Sequence, residues 1–74
     1  MTTVERFGNF RLAIFRDHNP PHFHILGPEC SLAIDLRNFT IIDGRHLPNE
    51  ALPIIDWAKE NAELLWRMWR ELNG

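Results

Sequence analysis

Apolar and polar positions alternate in short runs over the first two thirds of the chain, then change to a helical period. "FRLAIF", residues 10–15, reads as a strand, with Leu12 and Ile14 on one side and Arg11, Ala13 and Phe15 on the other. Asp17 to Pro21 follow as a turn stiffened by two prolines, each with a fixed φ. "HFHIL" resumes extended structure, placing His22, His24 and Leu26 on one face and Phe23 and Ile25 on the other. Gly27-Pro28 breaks it. "ECSLAIDL", residues 29–36, alternates cleanly: Cys30, Leu32, Ile34 and Leu36 inward, Ser31, Ala33 and Asp35 outward. Arg37-Asn38 is a tight turn, and "FTII" makes a fourth strand that Asp43-Gly44 ends.

The last third reads as one helix, residues 49–72, with Asn49 as N-cap, Pro53 tolerated near the first turn and Asn73-Gly74 as the stop. Ala51, Ile55, Ala58, Ala62, Leu65, Trp69 and Leu72 form one apolar seam. Ile54, Trp57, Leu64 and Met68 form a second stripe, and Trp66 lies off both. The pattern predicts an α+β fold: a small antiparallel β-meander of three to four strands packed against one long C-terminal helix. Residues 1–74 make a single domain, with strands and turns over 10–47. The sheet can cover one stripe. Either the wide apolar face wraps over the sheet, or Trp57, Leu64, Trp66, Met68 and Trp69 meet a second copy or a small protein partner.

Size makes that choice matter. A chain of 74 residues buries only about 60% of its unfolded surface, so its core is marginal. The single cysteine, Cys30, rules out an internal disulfide and fits a reducing cytoplasm; on the inward strand face it reads as a small buried hydrophobe. The net charge is −2 and the arginines are scattered, which argues against a broad nucleic-acid groove while allowing local contact with RNA phosphates. No apolar run is long enough for a bilayer, and "MTTVERFGNF" lacks the pattern of a signal peptide.

Candidate chemistry concentrates in "RDHNPPHFHIL", residues 16–26, which holds three of the four histidines. His22 and His24, two apart on a strand, leave the same face roughly 6–7 Å apart by strand rise. With His18 from across the turn they could hold zinc or another divalent ion, and Asp17, Cys30 or His46 could complete the set. Alternatively, His22 and His24 could act as acid and base beside Arg16 or Arg45, which would suit cleavage at an RNA phosphodiester. A third reading makes the histidines part of a stiff hairpin, with Asp17 holding the turn and Asp35 and Asp43 solvated or turn-forming.

The order of elements also carries a resemblance. An N-terminal "RF" before a strand, then "DHNPPHFH", "LAIDL", a G-x-x-LP segment and a tryptophan-containing helix together resemble the bacterial domain-of-unknown-function family 4160. The likeness spans nearly the whole chain, and its specific part is residues 17–24. The chain departs from the pattern at "RNFTII", where a Thr-Gly turn is expected. The resemblance implies a small regulatory protein, often encoded beside a member of family 2442 in an arrangement like a toxin–antitoxin module. His18, His22 and His24, with Asp17, Pro20 and Pro21, fall on the motif, and no established catalytic role comes with it.

Overall fold

The computed structural model describes residues 2–17, 20–44 and 47–73. Five strands pair in sequence order into one antiparallel sheet: β1 (Thr2–Phe7), β2 (Phe10–Ile14), β3 (His22–Gly27), β4 (Cys30–Asp35) and β5 (Ile41–Asp43). The meander is as expected, with one strand more. β1 is the addition. Its alternation is hidden because the register slips between Thr3 and Glu5, where a bulge shifts the residues that follow it. A two-residue Gly8-Asn9 connection joins it to β2, with Gly8 at φ +63°.

Register places the apolar rows together. Leu12 lies opposite Ile25, Ile25 opposite Leu32 and Phe23 opposite Ile34. These residues are buried with Ile14 and Leu36 against Ala51, Ile54, Ala58, Leu65 and Trp69 of the helical segment. The core therefore fills the space between one sheet face and the helices. The β4–β5 connection, where the sequence departs from the expected turn, is closed by Phe39 in a left-handed conformation at φ +59°. Its N–H donates to Asp35 O at 2.8 Å, and Asp35 N–H donates to Thr40 O at 2.9 Å.

Asp35 itself corrects the alternation. It sits on the predicted outward face but is only 4% exposed. Arg37 folds over it, donating from Nε at 3.0 Å and from Nη2 at 2.7 Å, while the Arg37 backbone N–H adds a third donor at 2.7 Å. Those donors hold the carboxyl below its ordinary range, against the opposing effect of burial.

The helix is not continuous. A 3-10 turn, Asn49–Ala51, leads into α1 (Leu52–Glu60), and α2 (Ala62–Asn73) follows after a break at Asn61. Asn49 forms no cap: it lies inside the 3-10 turn, and Pro48 before it has no side-chain acceptor. Pro53 stands in the first turn of α1, as expected. Asn61 adopts φ −116° and ψ 28°, and its side-chain Nδ2 donates to Trp57 O at 2.9 Å. Asparagine competes for backbone hydrogen bonds in this way, so it ends one helix and starts the next. Within α1 the buried row departs from the predicted seam: Ile54 goes into the core, while Ile55, from that seam, is half-buried. No helix among the described residues is long and apolar enough to cross a membrane.

Candidate metal centre

His22 opens β3 directly after the two prolines, and His24 follows on the same face of the strand. Asp17 lies across the turn. Each of the three offers a ligand atom within 4.8 Å of the other two. The His22 ring is 7% exposed as a residue and is fixed at both ends. Its Nδ1 lies 2.7 Å from Pro20 O, and its Nε2 lies 3.3 Å from Asp17 Oδ2. A backbone carbonyl only accepts, so Nδ1 carries a proton. A neutral ring then turns its Nε2 lone pair towards a carboxylate, which also only accepts. A cation between them, either a proton on Nε2 or a metal ion, satisfies both.

The 3.3 Å between His22 Nε2 and Asp17 Oδ2 suits a shared metal ion. Two ligands bound at about 2 Å in a tetrahedral arrangement stand about 3.3 Å apart. The Nδ1–H···O=C bond from the opposite nitrogen is the support that ligating histidines usually have, since it fixes tautomer and ring orientation.

His24 is packed between two rings. Its ring stacks on Phe15 with centroids 4.3 Å apart and meets the His22 ring edge-on at 4.9 Å. Its Nε2 is buried without a hydrogen-bond partner among the described residues. Burial pushes its pKa below the ordinary 6.5, and His22 pushes the same way; Asp17 and Asp43 oppose them more weakly. A neutral imidazole with an unsatisfied nitrogen is a ready metal ligand. The three side chains border an open hollow of about 270 Å³, closed on its other sides by Pro20, Ala33, Ile42 and Asp43.

The depressed pKa fixes a sign. Between the folded and unfolded pKa values of His24 the unfolded chain holds more protons, so stability rises with pH in that window. Acidification through 6.5 is expected to lower the urea midpoint progressively until the folded-state value is passed. His24→Phe, which keeps a ring on Phe15, should flatten that part of the profile. An unchanged slope in the variant would mean that another group carries the effect.

The helical segment reaches this site. Asp17 N–H donates to Asn73 Oδ1 at 2.9 Å, and Asn73 Nδ2 donates to Trp69 O at 3.1 Å and Phe15 O at 3.4 Å. The Trp69 ring lies 5.2 Å from that of His22. Nothing in the sequence marks Asn73 as more than a helix stop.

The other expected residues fall in different places. His18, Arg45 and His46 lie outside the described residues. Cys30 pairs with Gly27 at the far end of β3, three positions from the His24–Ala33 pair, so it is not part of the cluster. Its thiol pKa is raised by burial. Arg16 is exposed and does not border the hollow. Trp69 is 5% exposed and belongs to the core, so it is not a surface residue; its ring packs against that of His22 and with Leu65, Ala58 and Ile54 in the buried cluster. Trp57, Leu64, Trp66 and Met68 are half-buried.

The family model for a domain of unknown function, DUF4160, matches residues 9–70. No curated protein and no solved structure gives a significant match.

Proposed function

The chain belongs to the family defined by the domain of unknown function DUF4160, and from that premise we propose that it is a small metal-binding module whose divalent ion, of the zinc type, is held by Asp17, His22 and His24. The observation that carries the reading is the His22 ring, with Nδ1 committed to Pro20 O and Nε2 facing Asp17 Oδ2 at tetrahedral ligand spacing. The same geometry counts against the acid–base alternative, in which His22 and His24 with Arg16 cleave RNA. The His22 ring, with both nitrogens engaged, has none left for a substrate proton, so one of the two acid–base groups is lacking. Three protein ligands beside an open hollow leave a coordination position for water or a ligand.

The test is metal content. Tag-free protein dialysed against zinc should retain close to one ion per chain, and His22→Ala/His24→Ala should retain almost none. Asp17→Asn should bind more weakly than the wild type. Metal-free wild type under conditions that load a known zinc protein would end this reading.

A different observation favours a second reading, an interaction protein. Ile41, Ile42 and Leu52 are 44–47% exposed, and Trp57, Leu64, Trp66 and Met68 leave apolar surface open on the helices. That surface suits a homodimer or a small protein partner in a bacterial two-protein regulatory module of the toxin–antitoxin kind, working in a reducing cytoplasm. Sedimentation should then show a concentration-dependent dimer, weakened by Trp66→Glu. A monomer at every concentration would remove the homodimer.

A further inference from the structure

Arg6 and Arg11 are direct cross-strand partners in the β1–β2 pair. Their side chains therefore leave the same sheet face with Cβ atoms about 5 Å apart. Like charges placed opposite one another destabilise a strand pair unless something neutralises them. Among the described residues the ion pairs are His22–Asp17 and Arg37–Asp35, and neither Arg6 nor Arg11 takes part in one. The nearest carboxylate in sequence, Glu5, turns an oxygen to the Arg6 backbone N–H at 3.1 Å. The two arginines border a polar hollow of about 350 Å³ with the Gly8-Asn9 turn, Leu26 and Gly27.

We infer that Arg6 and Arg11 form an oxyanion site for a phosphate group. Two planar guanidinium forks leaving one sheet face at paired positions and lining one hollow can supply paired N–H donors to the oxygens of one tetrahedral dianion. The bound anion cancels the repulsion that the register imposes, so it stabilises the hairpin as well as being held by it. The site stands apart from the metal centre and does not depend on it.

The experiment is thermal unfolding and calorimetric titration in phosphate-free, low-salt buffer, with inorganic phosphate and AMP as probes and sodium chloride at matched ionic strength as control. Wild type should show saturable phosphate binding and a rise in Tm beyond that given by chloride. Arg6→Gln and Arg11→Gln should each weaken phosphate binding about tenfold or more, which is about 1.4 kcal/mol. Without phosphate they should melt at or above the wild-type temperature, because the repulsion is gone. Arg11→Lys, which keeps the charge and loses the fork, should bind with intermediate affinity. Tighter binding of AMP than of phosphate identifies an ester as the ligand; the reverse order identifies the free anion. A wild-type response no larger than that to chloride would overturn the proposal, as would glutamine variants that bind like the wild type.

Discussion

Trp69→Ala is expected to leave the protein largely unfolded or close to it at room temperature. Trp69 is 5% exposed and stands in the same core as Leu65, Ala58 and Ile54. Removing a buried aromatic ring of this size costs about 3–5 kcal/mol. A chain of 74 residues has a total stability of roughly 4–11 kcal/mol. One substitution therefore removes a large share of the whole. Trp69→Phe should cost about 1–2 kcal/mol and stay folded. Because the Trp69 ring packs 5.2 Å from His22, this milder variant should also bind zinc less tightly than its small loss of stability explains. Urea unfolding with and without zinc separates the two effects. Equal zinc stabilisation in wild type and Trp69→Phe would show that the indole supports the core alone.

Zinc at a hundred times its dissociation constant is expected to add about 2.7 kcal/mol to the stability of the wild type at neutral pH. For a domain of this size that corresponds to a rise in Tm of roughly 10–20 °C. The gain should disappear in His22→Ala/His24→Ala and on adding a chelator. It should also fade as pH falls, because protons compete for the imidazoles and for the Asp17 carboxylate. Acidification through His24 is also expected to lower the stability of the zinc-free protein, so the curves with and without zinc should fall together while the gap between them narrows. A gap independent of pH would place the ion on ligands other than histidine.

Much of the sheet was legible because β3 and β4 alternate without interruption. Phe23 and Ile25 against Ile34 and Leu32 could be assigned to one face from parity alone. β1 was not legible, because a bulge breaks its parity and four of its six residues are threonine, glutamate or arginine. The gap at Asn61 escaped for the opposite reason: apolar spacing continues across it, so periodicity gives no sign that the backbone has turned. Asp35 was misplaced because alternation describes the strand face and not what folds over it, which here is Arg37 from the next turn. At the site, parity placed His22 and His24 on one face, and Asp17 stood among several residues that could join them. What linear spacing could not supply was the packing of Trp69 against His22, or the reach of Asn73 to Asp17, fifty-six positions away.

The two prolines of the turn have a use beyond stiffness. Pro20 O lies 2.7 Å from His22 Nδ1, and Pro21 O accepts the Leu36 N–H at 2.9 Å. Proline contributes a carbonyl without an N–H, so each position adds an acceptor and no donor that would need a partner of its own. The ring also narrows the conformations open to the unfolded chain, so less entropy is lost when His22 is brought opposite Asp17. A site assembled from such a segment meets a ligand already shaped, and the affinity that an unconstrained loop would lose to ordering would be kept for the ion proposed to bind there.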